Sequence, residues 1–366
     1  MTETPVPAQT PVPTEIAEPE VRIERSGHLG RIILNRPRAI NALTATMVSL
    51  IRSALDEWEH DDGVATVLLS GAGERGLCAG GDIVAIYRDA GNGGAESARF
   101  WAEEYELNAR ISNYPKPYVA LMDGIVLGGG VGVSAHGRYR VVTERTKVGM
   151  PETGIGFVPD VGGTYLLSRA PGELGTHAAL TAATMTGPDA LLLGLADIYM
   201  DSSRLEDLTA ALAEKPAEEV LQDFAQQAPE APLAAEQQWI DACYGHDDVE
   251  TIVDALLRSE DEAANRAAAV VLAKSPSALK VTLQSLRRAR ELPDLATVLE
   301  QEYRVSLHAL AAPDFAEGVR AQVIDKDREP RWQPATLQEV RQADVDAYFE
   351  PLAGQGSLFT ASSEQK

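Results

Sequence analysis

The sequence predicts an α/β fold followed by a helical C-terminal region, and three observations lead to this prediction. Short apolar runs alternate with amphipathic segments and glycine-rich turns up to about Asp201, a pattern typical of strands and helices whose ligands lie at the loops after the strands. From Arg204 onward Ala, Leu, Glu and Gln dominate, and strand patterns become rare. With 366 residues, 45% of them apolar, the chain can build one large core and a second unit.

Four strands and two helices are predicted in the first half of the chain. Continuous apolar runs are typical of buried strands, whereas apolar residues at helical spacing indicate amphipathic helices. Thr44 is the expected N-cap of the first helix, because a threonine oxygen accepts hydrogen bonds from the first turn. The strands are expected at residues 31–35, 64–69, 118–122 and 139–142, and the helices at 44–59 and 97–111.

The C-terminal region is expected to be a series of helices that end at prolines, since proline breaks a helix. Helices are predicted at residues 218–227, 234–243, 249–259, 260–274, 277–290 and 295–309. The expected organisation is a disordered proline-rich tail at 1–20, an α/β core with the active site at 21–203, the helical region at 204–353 and a frayed end at 354–366.

Composition excludes several classes of partner. The chain has 32 basic and 55 acidic residues, a net charge of −23, which argues against nucleic acid and against an anionic membrane surface. No apolar run approaches the roughly 18 residues of a membrane span. Cys78 and Cys243 offer no disulfide framework or zinc spacing, and the six histidines are unpaired. We therefore expect no metal, and a protein of the reducing cytoplasm.

Two carboxylates and two glycine clusters indicate acyl chemistry. Glu152 and Asp160 lie in a run otherwise made of Gly, Pro, Thr and apolar residues. Carboxylates in such surroundings lose hydration, so their pKa values rise toward the range useful in acid/base catalysis. Gly80–Gly81 and Gly128–Gly130 each follow a predicted strand, and their N–H groups are candidates for an oxyanion hole. Taken alone, each glycine cluster is interpreted as a tight turn, and each acid as a helix cap or a loop residue. The combination of the two clusters with the two acids favours a catalytic site.

Three other motifs carry less weight. Residues 71–76 fit GxGxxG, but another glycine-rich turn follows instead of a helix, so a flexible turn is favoured over an NAD site. Ser134 lies in an incomplete GxSxG motif in which His136 replaces the last glycine, and both are interpreted as packing residues. Cys78 lacks a basic neighbour, which favours a buried structural thiol over a nucleophile.

Several of these segments together resemble a known family. Residues 35–43, 78–83 and 123–130 resemble the enoyl-CoA hydratase/isomerase (crotonase) superfamily. The segments similar to the members of that superfamily that hydrolyse 3-hydroxyisobutyryl-CoA are 103–108, 150–163 and 318–332. The resemblance covers about residues 21–345. It implies a crotonase-like spiral of ββα units with two nearly perpendicular sheets, and a CoA thioester bound in a bent pose. It implies no separate cofactor, because CoA is part of the substrate.

The resemblance also assigns residues by motif position. It implies that the N–H groups of Gly81 and Gly129 hold the thioester carbonyl, and that Glu104 lies against the acyl group. The residues expected at CoA are Arg38, Ala39, Ile40, Ala79, Gly80, Gly81, Asp82 and Ile83.

The chain departs from true hydratases at two positions. Of the two hydratase glutamates, one matches Glu152 and the other falls on Gly132, while Asp160 replaces a usual glycine. The expected reaction is therefore thioester hydrolysis, in which Glu152 attacks the carbonyl or activates water and Asp160 is the acid/base partner.

Two alternatives stay open at the level of sequence. One is an enoyl-CoA hydratase or isomerase that uses Glu152 alone. The other is a non-catalytic acyl-CoA-binding protein, against which the cost of burying two acids argues. The acyl group is 3-hydroxyisobutyryl, from valine breakdown, or 3-hydroxypropionyl, which is smaller by one methyl. The resemblance further implies a homo-oligomer, unless the C-terminal helices fill the surface that trimers and hexamers of the family use.

Overall fold

A computed structural model describes residues 18–352 and 356–359, and within them the chain forms two sheets surrounded by helices. The strands are β1 Val21–Ser26, β2 Leu29–Leu34, β3 Thr66–Gly71, β4 Tyr118–Met122, β5 Ile125–Leu127, β6 Tyr139–Val142, β7 Lys147–Gly149, β8 Thr184–Thr186 and β9 Ile198–Tyr199. The helices are α1 Ala45–Glu59, α2 Ile83–Ala90, α3 Ala95–Ser112, α4 Gly129–Ser134, α5 Gly163–Leu167, α6 Leu174–Thr181, α7 Gly187–Leu192, α8 Leu205–Leu212, α9 Ala217–Phe224, α10 Pro232–Tyr244, α11 Val249–Arg258, α12 Glu262–Leu272, α13 Pro276–Glu291, α14 Leu295–Ala311, α15 Pro313–Val319 and α16 Gln342–Ala347.

The larger sheet has six strands in the order β1-β2-β3-β4-β6-β9. β1 is antiparallel to β2, and the other neighbours are parallel. All five residues of β4 are buried, as expected for a central parallel strand covered on both faces. The smaller sheet has the order β5-β7-β8, with β7 parallel to β5 and antiparallel to β8. The prediction of an α/β fold is confirmed.

The predicted elements are confirmed with small shifts of their bounds. β4 and β6 have the predicted limits, and α1 begins after Thr44, whose side chain accepts a 3.1 Å hydrogen bond from Met47 N. All six predicted C-terminal helices are present as α9 to α14. The predictions omitted the strands β1, β5 and β7 to β9, and the helices α2, α4 to α8, α15 and α16.

The C-terminal helices share one hydrophobic core with the sheets. Trp101 of α3 stacks on Phe157 with ring centres 5.2 Å apart, and Phe157 meets Phe315 of α15 edge-on at 5.6 Å. Such aromatic pairs add specific geometry to the burial of apolar area. They fix the segment after β7, which carries Glu152, between α3 and the C-terminal helices.

The two predicted tails fall mostly outside the described residues; only 18–20 of the first and 356–359 of the second lie within them. In the part of the chain that the structure describes, no helix combines the length and the apolar character that crossing a membrane requires.

Candidate active site

The two predicted glycine clusters lie side by side. A Cβ atom placed on Gly129 would lie 3.3 Å from the backbone nitrogen of Gly81. Hydrogen bonds from Leu43 N to Gly80 O (2.8 Å) and from Leu127 N to Cys78 O (2.9 Å) join the segments. Within residues 18–352 and 356–359, neither the N–H of Gly81 nor that of Gly129 donates to a protein oxygen. Both donors are therefore available to a ligand oxygen, as in an oxyanion hole.

Gly128 brings Glu152 next to this pair of donors. Its backbone has φ 49° and ψ −119°, which side-chain-bearing residues rarely adopt. A Cβ atom at Gly128 would lie only 2.8 Å from Oε1 of Glu152. Glycine is thus required here both for the turn into α4 and for the close approach of the carboxylate.

Glu152 opens a 3-10 turn, Glu152–Ile155, directly after β7 and Pro151. Its side chain is buried (7% exposed), and its Oε2 has no hydrogen-bond partner in the described part of the chain. Burial raises the pKa of Glu152 well above its ordinary value, and the nearby Asp160 raises it further. A carboxyl group with an unpaired oxygen and a raised pKa is suited to accept a proton or to attack a carbonyl.

Asp160 is also buried (5% exposed), at the end of the segment that leads to α5. The hydroxyl of Tyr105 donates to its Oδ2 at 2.7 Å, and the same hydroxyl lies 2.9 Å from Oγ of Ser306 on α14. Burial raises the pKa of Asp160 to about 7, although the hydrogen bond from Tyr105 opposes this rise. A group with this pKa gives up and takes up protons readily near neutral pH.

Glu302, one turn before Ser306 on α14, fixes the backbone just after Asp160. Its carboxylate accepts hydrogen bonds from Gly162 N (2.6 Å), Thr164 N (2.9 Å) and Thr164 Oγ1 (2.5 Å). Burial raises the pKa of Glu302 to about 8, although these hydrogen bonds oppose the rise. Sequence reasoning did not single out Glu302, Ser306 or Tyr105. The sequence feature that could have identified Glu302 and Ser306 is their spacing of four residues, which puts two polar side chains on the apolar face of α14.

Glu104 lies on α3 against the glycine helix α4. It is 2% exposed, and its Oε1 would lie 2.6 Å from a Cβ atom on Gly129. No described residue donates a hydrogen bond to this oxygen. Burial raises the pKa of Glu104 well above its ordinary value, with a further rise from the charge of Asp160. Glu104, Glu152 and Asp160 thus form one buried, mutually interacting acidic group beside the free N–H donors.

The two segments expected at CoA also lie together. Ala79 N donates to Ile40 O at 2.9 Å, and Asp82 N donates to Leu43 O at the same distance. The Arg36 guanidinium pairs with Asp82 at 3.0 Å, and Arg38 is exposed to solvent. A cavity of about 160 Å³ opens next to Gly81 and is lined by Leu43, Asp82, Ile86 and Phe100 among others. Of the residues expected at CoA, Asp82 lines this cavity, and Gly81 adjoins two of its lining residues, Ile86 and Phe100.

Residues 29–349 match the protein family described as Enoyl-CoA hydratase/isomerase. The chain belongs to the enoyl-CoA hydratase/isomerase family. A 3-hydroxyisobutyryl-CoA hydrolase, mitochondrial, of Danio rerio is 40% identical over 91% of this chain and 90% of its own length.

Two solved structures resemble the chain closely over most of its length. A carnitinyl-CoA dehydratase from Mycobacterium thermoresistibile is 52% identical, with a TM-score of 0.90, over 93% of this chain and 99% of its own. An enoyl-CoA hydratase from Rhodobacter sphaeroides 2.4.1 is 40% identical, with a TM-score of 0.86, over 91% of this chain and 98% of its own. The three names span three reactions of acyl-CoA, and relatives with different reactions thus share this fold.

In this member of the enoyl-CoA hydratase/isomerase family, Gly132 has no space for a side chain. A Cβ atom there would lie 2.7 Å from Cβ of Val161 and 2.9 Å from Nδ2 of Asn108. Contacts below 3.0 Å require neighbours to move. The side chains of Val161 and Asn108 thus occupy the space that a glutamate at position 132 would need.

The motifs given less weight have structural roles. Ser134 Oγ donates to Gly130 O at 2.6 Å, His136 Nε2 lies 2.8 Å from Val161 O, and Cys78 is fully buried with its pKa raised to about 12 by desolvation. Residues 71–76 form the end of β3 and a turn, as predicted. Among the described residues, no group of three or more His, Cys, Asp or Glu is arranged to hold a metal ion.

Proposed function

We propose that the chain hydrolyses the thioester of a short 3-hydroxyacyl-CoA, most directly 3-hydroxyisobutyryl-CoA, to the 3-hydroxy acid and CoA. The observation that carries the proposal is the buried pair Glu152 and Asp160 beside the free N–H groups of Gly81 and Gly129, with no side chain at Gly132. The Danio rerio hydrolase, 40% identical over nearly the whole chain, supports the same reaction.

In the first step the thioester carbonyl oxygen accepts hydrogen bonds from Gly81 N–H and Gly129 N–H. These donors stabilise the negative charge that develops on this oxygen, and each is worth roughly a hundredfold or more in rate. Glu152, held against Gly128 next to the donors, attacks the carbonyl carbon or removes a proton from an attacking water. Direct attack forms a mixed anhydride and water attack forms the acid at once; a single turnover in ¹⁸O-water that labels Glu152 would establish the anhydride.

In the second step the carbon–sulfur bond breaks and the CoA thiolate leaves. Asp160, whose pKa lies at about 7, supplies the proton to the sulfur or orients the water that cleaves the anhydride. Tyr105 and Glu302 hold Asp160 and the backbone after it in place. In this mechanism two carboxyl groups share the proton transfers, and no third acid on α4 is required.

Hydration or dehydration of the acyl chain is the second candidate, because a relative 52% identical to this chain is described as a carnitinyl-CoA dehydratase. These reactions would use the same N–H pair but move protons and water at the acyl carbons. A glutamate at position 132 would serve that purpose, and neighbouring side chains fill its place here. The geometry therefore favours cleavage of the thioester over addition to a double bond.

The acyl group and the setting of the reaction are part of the same proposal. A 3-hydroxyisobutyryl substrate belongs to valine breakdown, and 3-hydroxypropionyl-CoA is smaller by one methyl, worth about 1–3 kcal/mol of discrimination. We expect both to be hydrolysed. The buried free thiols of Cys78 and Cys243 suit a reducing compartment such as the cytoplasm, although the Danio rerio relative is named mitochondrial. Assembly into a homo-oligomer stays a prediction.

The test incubates purified protein separately with 3-hydroxyisobutyryl-CoA and crotonyl-CoA. Free thiol is followed with a thiol reagent, and loss of the conjugated enoyl thioester by absorbance. The proposal predicts rapid thiol release from the first substrate and no enoyl loss from the second. Enoyl loss without thiol release would establish hydration and overturn the proposal.

A further inference from the structure

We infer that Asn108 is a specificity-determining residue that binds the 3-hydroxyl group of the acyl chain together with Glu104. The inference rests on the proposed function, since it names a feature of the same substrate. Asn108 is completely buried, with 0% of its surface exposed. Neither Nδ2 nor Oδ1 of its amide has a hydrogen-bond partner anywhere in the described residues.

Asn108 and Glu104 project from the same face of α3, because residues four apart lie one helical turn from each other. They face two glycines of α4 that are three residues apart. Glu104 Oε1 lies where a Cβ atom on Gly129 would be 2.6 Å away, and Asn108 Nδ2 lies 2.9 Å from the corresponding position on Gly132. The absence of side chains at Gly129 and Gly132 leaves room for this polar pair, in the part of the pocket where the resemblance places the first glutamate of the hydratases.

The unpaired atoms define the chemistry of the missing partner. Glu104 Oε1, Glu152 Oε2 and both polar atoms of the Asn108 amide are buried without hydrogen-bond partners among residues 18–352 and 356–359. An unpaired buried donor or acceptor is destabilising, so several of them in one place indicate a ligand that pairs with them. An amide offers one donor group and one acceptor, and its partner must therefore both accept and donate.

A hydroxyl group meets this requirement and a hydrocarbon chain does not. The hydroxyl oxygen accepts from Nδ2 of Asn108, and its proton is donated to Oδ1 of Asn108 or to Glu104. A site built to pair with a hydroxyl rejects the analogue that lacks it by up to about 10⁴–10⁵-fold, because its own polar groups then stay unpaired. The geometry thus selects 3-hydroxyacyl-CoA over the plain acyl-CoA of the same length.

The experiment compares kcat/KM for 3-hydroxyisobutyryl-CoA and isobutyryl-CoA in the wild type, Asn108→Leu and Asn113→Leu. Leucine has nearly the shape of asparagine without its polar atoms. Asn113 is exposed just after α3 and serves as the matched control. We expect the wild type and the control to prefer the hydroxylated substrate by about a hundredfold or more. Asn108→Leu is expected to lose at least tenfold on that substrate and to keep its rate on isobutyryl-CoA.

An equal loss on both substrates would show a structural role and overturn the inference, as would an unchanged preference. If Asn108→Leu does not fold, as judged by circular dichroism, Asn108→Ser replaces it, and the same fall in preference is expected from its shorter reach. Binding of non-hydrolysable thioether analogues of 3-hydroxyisobutyryl-CoA and isobutyryl-CoA is measured in parallel. If the wild type hydrolyses neither substrate, the proposed function fails, whereas a binding preference lost only in the Asn108 variant would still support the inference.

Discussion

The hydroxyl of Tyr105 donates a 2.7 Å hydrogen bond to Oδ2 of Asp160. The same hydroxyl contacts Ser306 of α14 at 2.9 Å, so a residue of the C-terminal helices acts on Asp160 through a tyrosine of α3. The hydrogen bond stabilises the charged form of Asp160 and opposes the effect of burial, which together leave its pKa at about 7. The protonation of the proposed acid/base group is thus set by contacts outside its own segment.

Replacing Tyr105 by phenylalanine is expected to raise the pKa of Asp160 above about 7, because the donor that favours the carboxylate is lost. The measurement is the pH dependence of kcat/KM for thioester hydrolysis. If Asp160 protonates the leaving thiolate, the alkaline limb moves to higher pH in Tyr105→Phe. Tyr303→Phe is the matched control, since its hydroxyl bonds to Ala98 O rather than to Asp160. Coincident profiles of Tyr105→Phe and the wild type would contradict the assignment.

The raised pKa of Glu302 predicts that the stability of the fold depends on pH. Its pKa is raised from 4.5 to about 8 on folding, so the folded state holds the proton more tightly than the unfolded state. The stability contribution is therefore full below about pH 4.5 and is lost as the pH rises toward about 8. In Glu302→Gln we expect the free energy of unfolding to fall less steeply over this range, as measured by urea denaturation at several pH values. Exposed Glu291→Gln should retain the wild-type slope, and parallel curves for all three proteins would refute the prediction.

The close contacts around Gly132 predict that position 132 tolerates no side chain. Alanine there places its Cβ 2.7 Å from Cβ of Val161, so Gly132→Ala is expected to lower the free energy of unfolding by about 1–3 kcal/mol. Gly91→Ala is the control, because the nearest neighbour of a Cβ atom there is the Arg88 carbonyl oxygen at 3.5 Å, an ordinary van der Waals contact. Gly132→Glu is expected to be less stable still and to gain no hydration of crotonyl-CoA. Wild-type stability of Gly132→Ala in urea denaturation would show that the space is open.

Much of the fold and part of the site follow from local patterns. β4 and the helices α9 to α14 were predictable because continuous apolar runs and helical periodicity, ended by prolines, are strong local signals. Glu152 and Asp160 stand out because acids are unusual among Gly, Pro and apolar residues. In the structure both are buried, Glu152 lies against Gly128, and the charge of Asp160 acts on Glu152. Their shared role in catalysis stays a prediction.

The remaining features depend on contacts between distant segments. β5 has only three residues, and its position is determined by pairing with β7. Glu302 contacts a segment about 140 residues earlier in the chain, and Ser306 contacts Tyr105, 201 residues earlier. The pattern of α14 reveals neither contact. Asn108 lies in the segment 103–108 that carries part of the family resemblance, but its amide, unpaired within the described residues, becomes evident only when α3 is placed against α4. Tertiary packing, rather than local propensity, assigns these residues to the site.

In the proposed mechanism, Glu152 and Asp160 together cleave the thioester. Its most direct test measures thiol release from 3-hydroxyisobutyryl-CoA by the wild type, Glu152→Gln and Asp160→Asn, with thioester binding followed by calorimetry on the same preparations. We expect each variant to lose about a hundredfold or more of the wild-type rate and to bind the thioester with little change, since acid/base groups contribute about 10²–10⁴-fold. Full hydrolysis by either variant would contradict the account.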